Sequence, residues 1–218
     1  MLQVCWSPKG GVGTSVVAAA LALKAASAGR ETLLVDLDGD QPAILGVEAG
    51  DGVGDWFSAP DDVGPDSLRS LEIDVVDRLR LLARGSSARS RWRQSRMEFA
   101  LALFDTRAEH VVVDAGRCGT VALPSAATQI VITRGCYLSL RRFAELSALS
   151  ESETRIVLID EPGRALTQRD VEAALGRVDV TLPWDPAVAR AVDAGLLSSR
   201  MPRSLRPLGA LVGAGVVR

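Results

Sequence analysis

The sequence has few of the features that mark a disulfide-bonded or metal-binding protein. It contains three cysteines, Cys5, Cys118 and Cys136, which are widely separated and form no C-x-x-C pair. This pattern predicts free thiols in a reducing compartment rather than a disulfide framework or a zinc site. The single histidine, His110, is interpreted as the first residue of a strand rather than as a metal ligand or a general base.

Long apolar runs and a targeting signal are also missing. No apolar run approaches the ~20 residues that a membrane-spanning helix needs. The N-terminus lacks a charged segment followed by an apolar core and a cleavage site. The formal net charge of −2 gives no overall attraction to nucleic acid or to an anionic membrane. We therefore expect a cytoplasmic protein whose membrane association is peripheral at most.

What is present is enough apolar sequence for a substantial core. The chain has 218 residues, of which 47% are hydrophobic, and this predicts a single domain over residues 1–218. Short apolar runs alternate with helical patterns, which indicates βαβ units and a doubly wound, mainly parallel sheet flanked by helices. The predicted strands are 2–6, 32–36, 79–83, 111–114, 129–133, 155–159 and 178–181. The predicted helices are 15–28, 55–58, 67–73, 90–105, 138–149, 167–175 and 183–194. The tail from about residue 198 is predicted to be frayed or docked on the core.

The most informative stretch is the loop Ser7-Pro8-Lys9-Gly10-Gly11-Val12-Gly13-Thr14-Ser15, between the first strand and the first helix. Glycines allow a sharp turn that exposes successive N–H groups, and the helix N-terminus adds its own unpaired N–H groups. Strand, glycine loop and helix together predict a phosphate-binding loop. The usual loop ends in Gly-Lys-Ser/Thr, whereas here Thr14 follows Gly13 and the lysine comes earlier, as Lys9.

This loop resembles the deviant Walker A motif of the ParA/MinD superfamily, Lys-Gly-Gly-x-Gly-Lys-Thr. Threonine in place of the second lysine is similar to the CpaE/TadZ branch, which is associated with Flp/Tad pilus assembly, and to septum-site-determining-like proteins. The resemblance implies that residues 9–15 bind ATP with Mg²⁺, and that Ser15 is a metal ligand. It also implies that Lys9 acts on the nucleotide of the partner in a homodimer that forms with nucleotide. We expect Lys9 to have no target in its own subunit.

Three aspartates end, or closely follow, predicted strands. They are Asp36, Asp38 and Asp114. Ligands of open α/β sheets bind at the carboxyl ends of parallel strands, so these carboxylates are expected to share one edge. By resemblance, Asp36 and Asp114 lie near Mg²⁺, and Asp38 orients the attacking water. Arg117, in the turn after Asp114, is interpreted as an exposed arginine, with contact to a phosphate as the alternative.

Two further segments are assigned by resemblance or by charge. The superfamily places its adenine pocket at positions that match Asp160, Pro183 and Asp185, and Trp184 either stacks on the base or packs under the last helix. An arginine-rich segment, residues 84–96, is interpreted first as a solvated helix face. Non-specific DNA contact and docking to an acidic partner are the alternatives. On the predicted helix, Trp92, Phe99 and Leu103 are expected on one face, and the arginines on another.

These observations lead to one functional hypothesis and two alternatives. The leading hypothesis is an ATP-binding switch that positions a pilus, secretion or division machinery, with weak or absent hydrolysis because Thr14 replaces the loop lysine. The first alternative is a pseudo-ATPase scaffold that binds pilus-assembly or division proteins without nucleotide. The second is a DNA-associated partitioning ATPase, which the negative net charge does not favour.

Overall fold

A computed structural model describes residues 1–117, 127–147 and 153–213 of the chain. Eight strands form one sheet in the order β3-β4-β2-β5-β1-β6-β7-β8, and every pairing is parallel except that of β3 with β4. The strands are β1 Leu2–Ser7, β2 Thr32–Asp36, β3 Glu72–Val76, β4 Leu79–Leu82, β5 His110–Arg117, β6 Thr128–Arg134, β7 Thr154–Asp160 and β8 Val180–Pro183. The predicted doubly wound α/β fold is therefore confirmed.

Helices cover both faces of the sheet. The α-helices are α1 Thr14–Ser27, α2 Gln41–Leu45, α3 Val53–Ser58, α4 Gln94–Arg107, α5 Tyr137–Ser147, α6 Gln168–Leu175, α7 Pro186–Asp193 and α8 Gly209–Val212. Short 3₁₀ helices occupy Pro65–Leu71, Arg89–Arg91 and Arg203–Leu208. None of the helices in the described ranges is long and apolar enough to cross a membrane. The end of the predicted helix 138–149 lies outside the described residues, as does Cys118.

The central helix α1 is buried on nearly all sides because it is covered twice. Residues 17–23 are all at most 3% exposed, and most of them are alanine, valine or leucine. One side of α1 packs on the sheet, and the other packs under the C-terminal residues Leu205, Leu208 and Leu211. The side-chain amide of Gln3 donates to the carbonyl of Leu211 at 3.0 Å, which fixes this segment to β1. Residues 203–212 are thus docked on the core.

Strand β3 was not predicted. Its sequence, Glu72-Ile73-Asp74-Val75-Val76, follows a helical pattern and alternates polar with apolar residues, as edge strands do. It pairs antiparallel with β4 across a two-residue turn in which Arg78 has a φ of 61°. The Glu72 carboxylate is bound by Arg80 and by Arg107 of α4, so a tertiary ion-pair cluster holds the strand in place.

The arginine-rich segment is a solvated face only in part. Three of its arginines, Arg89, Arg91 and Arg93, are exposed, as predicted, whereas Arg96 is folded into the protein. Arg96 is 8% exposed and donates to the carbonyls of Trp56, Pro60 and Val63 at 2.9–3.1 Å. Its guanidinium lies 3.7 Å from the centre of the Trp56 ring. The predicted apolar face of 90–105 is confirmed for Trp92 and Leu103, which pack partly buried against the core, but not for Phe99, which is 52% exposed. Met97, Ala100, Leu101 and Phe104 are buried instead.

Candidate functional site

The glycine loop leads from β1 into α1 and forms one wall of a cavity. Gly11 and Gly13 have φ angles of 75° and 100°, a region that side chains other than glycine rarely adopt. Gly13 caps α1, so Thr14 and Ser15 form the first turn of the helix. The cavity has a volume of about 600 Å³. The described residues that line it are Ser7, Gly10, Gly11, Gly13, Thr14, Ser15, Val16, Asp38, Asp40, Ala43, Ile44, Gly116, Arg117, Arg134, Val192 and Asp193.

Two of the predicted carboxylates are buried side by side below this loop. Asp36 and Asp114 are register partners on β2 and β5, and both are fully buried. Asp36 accepts three backbone N–H groups, from Asp38, Gly39 and Gln41, at 2.6–3.1 Å. This carboxylate therefore shapes the turn that carries Asp38.

Gln41 is a site residue that the sequence analysis did not single out. Its side-chain amide is fully buried and donates to the carbonyl of Ser15 at 2.9 Å and to Oδ2 of Asp114 at 2.8 Å. Its Oε1 atom is buried and has no partner among the described residues. The available signal was its position at the start of a helix, directly before Pro42 and after the aspartate-rich turn. Gln41 ties the helix start, the turn and β5 into one unit.

The environment of Asp114 is unusual for a carboxylate. Burial raises the pKa of Asp114 to about 7, while hydrogen bonds from Gln41 and Ser15 and from the backbone N–H of Gly116 act in the opposite direction. The negative charge of Asp36 raises this pKa further. Burial also raises the pKa of Asp36, and its backbone hydrogen bonds lower it. Two buried carboxylates that resist ionisation together favour a cation between them.

Asp38 lies at the rim of the cavity, where two neighbours restrain it. Arg89 donates to Oδ1 of Asp38 at 3.1 Å and also to the carbonyl of Leu37. Gly116, with a φ of 60°, packs against the same carboxylate, and a Cβ atom there would lie 2.3 Å from Cγ of Asp38. Asp38 thus lines the cavity, and an arginine of its own chain already pairs with it.

Lys9 is directed away from the cavity. Its Nζ atom lies 3.8 Å from Sγ of Cys136, the residue that precedes α5. Burial raises the pKa of the Cys136 thiol, but the N–H groups of Ser139 and Leu138 and the charge of Lys9 outweigh it, and the net pKa lies below the usual value. The expectation that Lys9 has no target in its own subunit is therefore wrong. Cys5 and Cys136 are both free thiols, as predicted.

The residues assigned to the base lie at the ends of β7 and β8. Asp185 caps α7, because its carboxylate accepts the N–H of Ala187 at 2.8 Å and the hydroxyl of Ser204 at 2.7 Å. Asp160 accepts the N–H of Trp184 through its backbone carbonyl. Within the described ranges, Asp160, Pro183 and Asp185 do not line the cavity. Trp184 is 44% exposed, so it does not pack under the last helix.

Oxygen atoms that could bind a cation are present, but the described side chains alone do not complete the coordination shell of a metal ion. No group of three or more His, Cys, Asp or Glu residues in the described parts of the chain could hold a metal ion. Ser15 and Asp114 lie together beside the loop, where the ligand would add its own oxygens. This arrangement fits Mg²⁺, which is commonly bound through one or two carboxylates, waters and phosphate oxygens.

Comparison with known proteins supports the geometry. The family described as the CobQ/CobB/MinD/ParA nucleotide-binding domain matches residues 4–198. No curated protein matches the chain.

Solved structures match over nearly the whole chain. A ParA family ATPase from Chlorobium tepidum has a TM-score of 0.80 and 19% identity, over 97% of this chain and 98% of that one. The septum site-determining protein MinD from Pyrococcus horikoshii, complexed with Mg-ADP, has a TM-score of 0.81 and 15% identity, over 97% and 93%. A Cyanothece McdA(D38A)–ATP complex has a TM-score of 0.70 and 13% identity, over 97% and 94%. At identities this low, the structural matches show that the fold is shared.

Proposed function

Because the chain belongs to the CobQ/CobB/MinD/ParA nucleotide-binding family, we propose that it is a cytoplasmic ATP-binding switch that hydrolyses ATP slowly or not at all. The observation that carries this proposal is the glycine loop at the N-terminus of α1, which faces the same cavity as Ser15 and Asp38. A helix N-terminus and a glycine-rich turn bind phosphate with backbone N–H groups, which Thr14 does not remove. Slow hydrolysis follows because phosphoryl transfer depends on charge neutralisation, and Thr14 is neutral.

The proposed metal role uses the donors that the fold already gathers. Ser15, Asp114 and Asp36 would hold Mg²⁺, and the ion would neutralise phosphate charge. Gln41 orients Asp114 toward the loop through its 2.8 Å hydrogen bond. Asp38 is positioned to orient a water once its pairing with Arg89 is relieved.

The proposed biological role is to position a pilus, secretion or division machinery as a nucleotide-dependent homodimer. Support comes from the CpaE/TadZ-like loop and from the likeness in fold to a cell division ATPase and to a putative plasmid partition protein. In this role Lys9 leaves Cys136 and contacts the nucleotide of the partner subunit. Pilus-assembly or division proteins would then bind the dimer.

A nucleotide-independent scaffold is the second candidate, and specific contacts favour it. Thr14 supplies no charge, Lys9 is engaged by Cys136, and Asp38 is paired with Arg89. A DNA-associated partitioning ATPase receives less support, because Arg89, Arg93 and Arg96 bind groups of their own chain.

Calorimetric titration with ATP, with and without Mg²⁺, tests the proposal. We expect weak binding that strengthens with Mg²⁺, and we expect Ser15→Ala to remove the Mg²⁺ effect. Ser27→Ala is the matched control, because its hydroxyl donates to the Leu23 carbonyl at the other end of α1. Absence of heat and of any thermal shift at millimolar ATP would reject nucleotide binding and leave the scaffold.

A further inference from the structure

The cavity beside the glycine loop has an unusual balance of charge. Its described lining contains three acids, Asp38, Asp40 and Asp193, and two cations, Arg117 and Arg134. Neither Thr14 nor Lys9 adds positive charge there, because Thr14 is neutral and Lys9 lies against Cys136. A nucleoside triphosphate brings several negative charges, so a cation from another part of the wall would strengthen its binding beyond what the backbone N–H groups and Mg²⁺ provide.

Arg134 is already committed to other groups. It donates to the Glu161 carboxylate at 3.1 Å, and its guanidinium lies 4.9 Å from the centre of the Trp184 ring. Glu161 also pairs with Arg164 through the same carboxylate oxygen, so it offsets only part of the Arg134 charge. These contacts also draw the side chain toward the ends of β7 and β8, away from β1 and the glycine loop.

Arg117 differs from Arg134 both in its position relative to the glycine loop and in its lack of partners among the described residues. It is the register partner of Ser7, the residue that opens the glycine loop, on the neighbouring strand. Its side chain is exposed, and no hydrogen bond or ion pair joins it to residues 1–117, 127–147 or 153–213. It follows Gly116, which packs on Asp38, so it stands on the side of the loop where Asp38 and Asp114 lie.

We propose that Arg117 binds the β- and γ-phosphates of the nucleotide and supplies the charge that the missing loop lysine would provide. This inference rests on the proposed nucleotide binding and names a phosphate-binding residue outside the glycine loop. Arginine suits the role because its planar guanidinium can donate two parallel hydrogen bonds to phosphate oxygens.

The test compares Arg117→Gln with the unaltered protein in titrations with Mg-ATP and with AMP. We expect Arg117→Gln to weaken Mg-ATP binding about 10- to 100-fold, as loss of one charge-assisted contact does. We expect AMP binding to change less than about twofold, because AMP lacks the β- and γ-phosphates. Arg117→Lys should retain most of the Mg-ATP affinity. Arg177→Gln is the charge-matched control. This exposed arginine precedes β8, so it lies at the end of the parallel strands away from the glycine loop.

A second variant tests directly whether Arg117 takes the role of the missing loop lysine. If Arg117 replaces the lysine, Thr14→Lys introduced into Arg117→Gln should restore Mg-ATP affinity. If the unaltered protein binds Mg-ATP and Arg117→Gln binds it equally well, the inference is wrong and nucleotide binding stands. Equal losses for Mg-ATP and AMP would also overturn it, because they would indicate a general change of the site. If the unaltered protein binds no ATP, the proposed function itself fails.

Discussion

The ammonium group of Lys9 lies 3.8 Å from Sγ of Cys136 in the same chain. The lysine of the glycine loop is therefore held by the N-terminus of α5, beside the backbone N–H groups that also lower the thiol pKa. A lysine that serves the partner subunit has to give up this contact before the dimer closes. In the proposed dimer, the sulfur contact therefore competes with dimerisation.

Cys136→Ala should strengthen nucleotide-dependent dimerisation, because Lys9 then loses its partner in the free subunit. A hydrogen bond of this kind contributes about 1 kcal/mol. Both subunits release it on dimerisation, so the total of about 2 kcal/mol corresponds to about 30-fold in the dimer dissociation constant. Light scattering against protein concentration, with ATP present, measures the effect. Lys9→Ala should abolish the ATP-dependent dimer. An unchanged dimer in Lys9→Ala would contradict a role for this lysine in the partner's site.

Thr14→Lys should tighten Mg-ATP binding by roughly 10- to 150-fold, since it restores a charge-assisted contact to the phosphates. Turnover should rise as well if Asp38 is free to orient water. ATP affinity and steady-state phosphate release decide both points. A well-folded Thr14→Lys protein that gains neither affinity nor rate would favour the scaffold over the switch.

Arg96→Met should destabilise the fold by roughly 2–4 kcal/mol. The change removes the guanidinium donor from the carbonyls of Trp56, Pro60 and Val63, of which the first two keep a backbone N–H. Urea unfolding measures the loss. Arg91→Met, an exposed position in the same segment, should stay within about 0.5 kcal/mol of the unaltered protein. Equal stability of the two variants would show that Arg96 is not a structural residue.

His110 should make the protein less stable in mild acid. Burial, with smaller contributions from the positive charges of Arg30 and the N-terminus, lowers the pKa of His110 to about 4. Its Nε2 atom pairs with Oε1 of Gln3 at 2.9 Å, and Nδ1 has no partner among the described residues. Between pH 6.5 and about 4 the unfolded chain binds a proton that the folded protein does not, so stability rises with pH across this window.

The expected loss on acidification reaches about 3 kcal/mol at pH 4, with a slope of about 1.4 kcal/mol per pH unit. Urea unfolding at several pH values from 7 to 4 measures it. His110→Gln carries no titrating ring. The slope of its free energy of unfolding against pH should therefore be smaller in this window, by the amount that one bound proton contributes. Parallel profiles for the two proteins would rule out His110 as the cause.

Local sequence determined the glycine loop, most of the strands and the positions of the three aspartates. Buried parallel strands are continuous apolar runs, such as Val111-Val112-Val113. They can therefore be predicted from their own sequence without knowing which strands lie beside them. The loop is equally local, because positive φ angles at Gly11 and Gly13 require glycine whatever surrounds them. The cap of α6 is local as well, because the Thr167 hydroxyl accepts the N–H of Asp170 three residues along the chain.

Tertiary structure decided the features whose energy comes from distant partners. Strand β3 forms because β4 lies beside it, and because Arg80 and Arg107 pair with Glu72. Arg96 is buried because the carbonyls of the segment after α3 converge on its guanidinium. The periodicity of apolar residues in the sequence does not predict this arrangement.

The same distinction holds at the candidate site. Sequence placed Asp36 and Asp114 at one edge of the sheet, but only the packed structure brings Gln41 between Ser15 and Asp114. It also turns Lys9 to Cys136, which lies 127 residues away along the chain, and leaves Arg117 beside Ser7. A motif fixes backbone shape through local sterics, whereas the direction of a long charged side chain depends on which opposite charges and donors the fold brings near it.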